Sequence, residues 1–277
     1  MTYRALYETG KERLTEAGIE EAGLDARLLL EFVCHTGRND LLVHGDREVE
    51  AACEEQYHEL IARRSAHIPL QHLTGVQEFM GLEFAVNEHV LIPRQDTEIL
   101  VEEVMRNLHD GFRILDMCTG SGCILLSLLH YSNDCSGTGA DISGEALEVA
   151  QRNAESLGET KAVFVQSDLF DKVEGKFEII VSNPPYIRSD VIHTLMDEVR
   201  LHEPLGALDG KEDGLHFYKR IVEESKRYLC HGGQLFFEIG YDQKEAVVDL
   251  MKAAGFKDVT AVKDFAGLDR VVYGCLY

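Results

Sequence analysis

At 277 residues, with 45% hydrophobic and 27% charged side chains, the chain has room for one large or two smaller globular domains of ordinary soluble composition. Its formal net charge of −22 runs along its length, with 8 basic and 14 acidic residues in 1–75 and 19 and 35 in 76–277, which leaves no obvious electrostatic footprint for a nucleic-acid backbone. Cysteines 34, 53, 118, 123, 135, 230 and 275 form no C-x-x-C pair, which argues against a disulfide framework or a structural zinc and favours a reducing compartment.

The first residues, Met1–Glu8, lack the apolar core of a signal peptide. No apolar run approaches the about 18 residues needed to span a membrane, so a cytoplasmic protein is expected. Residues 1 to about 65 predict helices: Leu24, Leu28, Leu29, Phe32 and Val33 recur at helical spacing, as do Tyr57, Leu60 and Ile61, with Gly18, Gly23 and Gly37 as punctuation. His35, His44 and His58 are too irregularly spaced for metal ligands. This stretch carries no chemistry, and binding a partner is its expected role.

Near residues 66–92 the texture changes, and Phe79-Met80-Gly81-Leu82-Glu83-Phe84 predicts a β-hairpin. After Pro93, strands are expected at Phe112–Leu115, Gly137–Ala140, Ala162–Val165, Phe177–Val181, Gln234–Glu238, Val259–Val262 and Arg270–Cys275. Helices are expected at 96–108, 121–130, 143–157, 214–230 and 243–254. Alternation of this kind predicts an α/β fold with a doubly wound, mostly parallel seven-stranded sheet, whose ligands lie beyond the carboxyl ends of the strands. The expected domains are a helical one over 1–70, a β-hairpin linker over 71–92 and the sheet domain over 93–277.

Three strand ends carry acids. The first is Asp116, followed by the small-residue loop Cys118-Thr119-Gly120-Ser121-Gly122, whose backbone N–H groups and helix start suit an anionic group such as a carboxylate. Asp116 at the mouth would receive a cationic amine. Asp141 ends the second strand, as a ribose partner does, and Asp168, followed by Leu169, ends the third, where it would accept from an adenine amino group. Any one of them also suits a helix N-cap or a solvated turn. The loop is not G-x-G-x-x-G, and no Walker motif is present. An amine, a carboxylate, a ribose and an adenine together match S-adenosylmethionine better than NAD or ATP.

The fourth strand ends in Asn183-Pro184-Pro185-Tyr186. That sequence also suits a plain stiff turn. Alternatively, the Asn183 carbonyl and a free backbone carbonyl beside the prolines would accept the two hydrogens of a planar NH2, with the Tyr186 ring against its plane. A methyl donor beside an NH2 grip predicts a nitrogen methyltransferase.

On these residues, and on Ile68–Gly75, Phe79–Phe84, Val90–Glu98, Glu203–Leu208, Glu238-Ile239-Gly240 and Ala266–Arg270, the chain resembles the peptide chain release factor glutamine N5-methyltransferases (the HemK/PrmC-like group), a class I methyltransferase family, over essentially its whole length. The resemblance implies a Rossmann-like fold and S-adenosylmethionine as methyl donor, with S-adenosylhomocysteine as product. It implies cofactor binding by Cys118, Thr119, Gly120, Ser121, Gly122, Asp141, Asp168, Leu169 and Asn183, and substrate binding by Asn183, Pro184, Pro185 and Tyr186. Catalysis falls to Asn183, Pro184 and Tyr186, with no metal. The implied substrate is the glutamine of the Gly-Gly-Gln loop in bacterial class I release factors, met by a monomer. Adenine or guanine amino groups of a nucleic acid are the alternative, against which the acidity counts.

Two positions depart from the family pattern. Cys118 stands where glycine is usual, so a positive φ at 118 is not expected, and its thiol could be either reactive or buried and inert. Arg94-Gln95-Asp96-Thr97-Glu98 replaces Arg-Pro-Glu-Thr-Glu.

Overall fold

The computed structural model describes residues 1–277. Its elements run α1 (Tyr3–Glu16), α2 (Ala22–Cys34), α3 (Arg38–Val43), α4 (Ala51–Ser65), α5 (Leu70–Thr74), β1 (Val76–Phe79), β2 (Leu82–Ala85), α6 (Gln95–Asn107), β3 (Arg113–Met117), α7 (Cys123–His130) and β4 (Ser136–Asp141). They continue with α8 (Gly144–Leu157), β5 (Ala162–Gln166), β6 (Phe177–Ser182), a 3-10 turn (Ile192–Thr194), α9 (Asp197–His202), α10 (Leu205–Leu208), α11 (His216–Ser225), β7 (Leu229–Glu238), α12 (Lys244–Ala253), β8 (Lys257–Lys263) and β9 (Asp269–Leu276).

The chain divides into two compact units, one of Met1–Val76 with Met196–His202, the other of Gln77–Leu195 with Glu203–Tyr277. The helical unit buries Leu6, Leu14, Leu29, Leu30, Tyr57 and Ile61 in one core. Tyr57 is fully buried and donates its hydroxyl hydrogen to the Ala26 carbonyl (3.2 Å). Gly10 lets α1 approach that ring, since a Cβ there would stand 2.0 Å from the hydroxyl oxygen. Arg64 is buried, pairs with the buried Asp25 (2.7 Å), and reaches Glu198 of α9 (3.1 Å). A buried guanidinium needs such partners.

The second unit holds a seven-stranded sheet in the order β5-β4-β3-β6-β7-β9-β8. β5, β4, β3, β6 and β7 are parallel, and β9 runs antiparallel between β7 and β8. Alternate residues feed opposite faces, as a pleated strand requires. Ile114, Ile179, Val181 and Phe236 enter one core together with Phe79 and Phe84 of the hairpin. Leu115, Ile180, Leu235 and Phe237 enter the other with Tyr218, Val247 and Met251. Helices α6 and α7 cover the first face and α11 and α12 the second, so the doubly wound sheet is as expected.

One expectation needs correction. The helix predicted over 214–230 stops at Ser225, and β7 already begins at Leu229, which pairs with Phe177. The apolar Leu229 and Cys230 belong to that strand rather than to a last helical turn. The stretch between Tyr186 and the 214–230 segment contains α9 and α10.

Candidate active site

β3 and β6 are neighbours in register, Met117 beside Ser182, with β4 on the far side of β3, Met117 beside Ala140. The residues that follow, Cys118, Asp141 and Asn183, therefore emerge together at one edge of the sheet, where the strand order reverses. They line a cavity of about 390 Å³, as do Thr119, Gly120, Ser121, Asp168, Leu169 and Pro185. Gly122, Pro184 and Tyr186 are not on its wall.

The half of the cavity around residues 118–122 is shaped by backbone. Cys118, Gly120 and Gly122 have φ of 62°, 54° and 80°, so residue 118 does adopt the left-handed conformation, contrary to the expectation from its side chain. The turn needs that bend whichever residue occupies it, and the non-glycine residue carries a steric cost. Burial and the carboxylates of Asp141 and Asp116 push the Cys118 thiol up, so it stays protonated and lacks the thiolate that reactivity requires. Gly122 abuts α8, where a Cβ would lie 3.2 Å from that of Ala150.

Asp141 locks this loop. Its Oδ2 accepts from the Gly120 N–H (2.9 Å) and its Oδ1 from the Ser143 N–H (3.0 Å). Burial raises its pKa while those backbone donors favour the charged form. Each carboxylate oxygen keeps a further lone pair, enough to accept from a diol. Ser143 in turn caps α8 by accepting from Ala146 N–H (3.0 Å).

Asp116 does not stand at the mouth. It is fully buried and accepts from the Thr119 hydroxyl (2.5 Å), and desolvation lifts its pKa to about 7. It braces the loop from beneath. Asp168 is half-exposed on the wall and accepts from Arg220 Nη1 (2.8 Å). Leu169 beside it has φ 48° and is buried.

The half around Asn183–Tyr186 is shaped by side chains. Asn183 Nδ2 donates to Thr97 Oγ1 (3.3 Å), and the Tyr186 hydroxyl donates to Glu238 Oε1 (3.3 Å). Burial, with Glu238 as neighbour, raises the Tyr186 pKa, so the phenol keeps its proton. Gln243 Nε2 donates to the carbonyls of Tyr186 (3.0 Å) and Gly214 (3.2 Å). Gly210 closes the turn from the other side, where a Cβ would sit 2.7 Å from Tyr186 Cα and carbonyl C. Arg94, on the cavity wall, is paired with the buried Glu203.

Thr97, Glu238, Gln243 and Gly210 had no role in the sequence reading. Thr97 and Glu238 do lie inside stretches that stood out as motifs, and nothing in their spacing along the chain shows that they meet. Asp96, in the departing Arg94–Glu98 stretch, lies in the first turn of α6 and pairs with Arg270 (3.0 Å). Gln95 takes the first helical position, where proline is readily accommodated.

A doubly wound sheet with β9 reversed between β7 and β8, a glycine-bearing loop after β3 and an acid after β4 define a class I methyltransferase, an S-adenosylmethionine-dependent enzyme. Residues 5–75 match the PrmC N-terminal domain family and residues 94–201 the methyltransferase small domain family. The chain is 40% identical to the release factor glutamine methyltransferase of Caulobacter vibrioides over 99% of its own length and 96% of the relative's. It is 41% identical to that of Clostridium acetobutylicum over 98% and 94%. The chain belongs to the release factor glutamine methyltransferase family. Among solved structures, a methyltransferase from Pyrococcus furiosus shares the fold (TM-score 0.54, 19% identity, 77% of this chain and 98% of that one).

Proposed function

We propose that this protein transfers a methyl group from S-adenosylmethionine to the side-chain amide nitrogen of the glutamine in the Gly-Gly-Gln loop of bacterial class I release factors, with the helical residues 1–70 docking that protein. The observation that carries this is the placement of Asn183 and Pro185 on the same cavity wall as Gly120 and Asp141. An amide acceptor thus adjoins a loop suited to a nucleoside with an amino-acid tail. Asp141 fits a ribose, and Ile142 and Leu169 offer apolar cover for an adenine. When bound, the cofactor supplies an electrophilic methyl group on a sulfonium.

The protein's part is orientation. An amide nitrogen is a poor nucleophile because its lone pair is delocalised into the carbonyl. Asn183 Oδ1 and the Pro184 carbonyl accept the two amide hydrogens, which aims the nitrogen and stabilises positive charge developing on it. Tyr186 packs beside the amide plane. Holding reactants in line contributes most of the barrier reduction, and preorganised acceptors add an electrostatic part.

Incubation with labelled S-adenosylmethionine and purified release factors, followed by mass-spectrometric mapping, should place the label on that glutamine. Asn183→Ala should lose about 10²–10³ in rate and still bind cofactor. Label found only on added DNA or RNA would overturn the substrate assignment in favour of a nucleobase.

A further inference from the structure

One buried amide outside the cavity ties two parts of its wall together. Asn153 lies in α8 and is 1% exposed. Its Oδ1 accepts from the Ala85 N–H (2.8 Å), and its Nδ2 donates to the Ala85 carbonyl (3.1 Å) and to the Ser121 carbonyl (2.9 Å). The orientation of this amide is fixed by its partners, because a backbone N–H can only donate and a carbonyl can only accept. The oxygen must face the Ala85 N–H, and the two amide hydrogens take one carbonyl each. At Ala85 the side chain exchanges both bonds with one residue, as a paired residue of a neighbouring strand does.

The two partners lead to different parts of the cavity. Ser121 belongs to the 118–122 loop and lies on the wall. Ala85 ends β2, and the chain that follows runs over the same face of α8. There Val86 and Val90 are buried with Ala146 and Val149, which stand seven and four residues before Asn153. His89, Val90, Leu91, Pro93 and Arg94 then form wall before α6 begins at Gln95. Between Ala85 and Gln95 the chain has no helix or strand of its own. Its spacing from the 118–122 loop therefore depends on side chains, and Asn153 bonds to both.

We propose that Asn153 is a positioning residue for cofactor binding. It clamps residues 85–94 to the 118–122 loop and so presets the distance between two parts of the cavity wall. This role does not depend on which nitrogen receives the methyl group. Without the clamp, binding must also order residues 86–94, which lowers affinity. By linkage, a wall that favours the cofactor when fixed is itself made firmer when the cofactor binds.

The test pairs calorimetry of S-adenosylmethionine and S-adenosylhomocysteine binding with amide hydrogen exchange, read residue by residue by NMR in 15N-labelled protein. Asn153→Leu keeps the volume and removes all three hydrogen bonds. Its affinity for both ligands should fall about 10- to 100-fold, the scale of one or two net hydrogen bonds. Asn153→Asp keeps the acceptor for Ala85 but sets an oxygen against two carbonyls, and should bind at least as weakly. In the unaltered protein the Ala85 amide, which is not on the cavity wall, should exchange several-fold more slowly once S-adenosylhomocysteine is bound. In Asn153→Leu that slowing should vanish.

Unchanged affinity in Asn153→Leu would overturn the proposal. So would a loss of affinity accompanied by faster exchange throughout β3, β4 and β6, the mark of general loosening rather than of a lost clamp. Should both variants fail to fold, the unaltered protein still decides: an Ala85 amide that exchanges equally fast with and without S-adenosylhomocysteine refutes the clamp.

Discussion

The two halves of the cavity are stiffened by different means. Around the 118–122 loop, left-handed residues and a carboxylate that accepts from two backbone N–H groups set the shape. Around Asn183–Tyr186, side chains from α6, β7 and the Gly240–Gln243 turn hold a proline-stiffened strand end. Backbone-built sites tolerate changes of side chain that leave φ accessible. Sites built by side chains fail when one partner is lost, even if the backbone is untouched.

The sharpest way to break this comparison is Gly210→Ala. A Cβ 2.7 Å from Tyr186 backbone atoms must displace the Asn183–Tyr186 half while leaving the 118–122 loop alone. We expect transfer to fall about a hundredfold, the cost of a misplacement near 1 Å, with cofactor affinity unchanged. A parallel loss of cofactor binding would show the halves to be one mechanical piece. Cys118→Val, which sets a β-branched residue at φ 62°, should weaken cofactor binding several-fold, because branching at Cβ adds crowding to the left-handed cost that cysteine already carries. Cys118→Gly should bind as the unaltered protein does. Equal weakening in both, read by calorimetry, would mean the thiol itself is needed.

Gln243→Ala removes the donor shared by the Tyr186 and Gly214 carbonyls and should cost about 1–3 kcal/mol of stability, read in a denaturant titration, with a smaller drop in kcat than Gly210→Ala. At Asp116 the expected effect is on stability alone and depends on pH. Its pKa of about 7 in the folded protein lies above the ordinary carboxylate value near 4. The folded state thus binds this proton more tightly than the unfolded state. The group costs stability as pH rises from about 4 to 7, with the full cost present above that. Asp116→Asn should therefore raise the melting temperature more at pH 8 than at pH 5. A gap independent of pH would show the carboxylate to be charged throughout.

Much of the cavity wall around residues 118–122 was legible because its parts lie within a few residues of one another and recur at successive strand ends. Asp141 and the small-residue loop could be read that way. The conformation of Cys118 was not, because the residue type argued for one backbone and the turn after β3 demanded another. Asp116 was misplaced because a strand-end acid looks alike whether it faces out or packs under the loop. The hairpin and sheet strands showed in their apolar runs, while α9 and α10, with few buried residues, left no periodic trace. Thr97 and Glu238 stand 86 and 55 positions from Asn183, and only strand order brings them together.

The segment Met196–His202 belongs to the helical unit although residues on either side of it belong to the other. The polypeptide therefore passes between the units three times. No single cut separates them: severing the chain near residue 76 would strip Glu198 from Arg64 and leave a guanidinium short of a partner in one fragment and an orphaned loop in the other. Gene fusions, domain swaps and limited proteolysis that treat the N-terminal helices as a detachable cassette should give fragments less stable than the whole. Shuffling of this architecture would have to carry the internal loop along with the terminus.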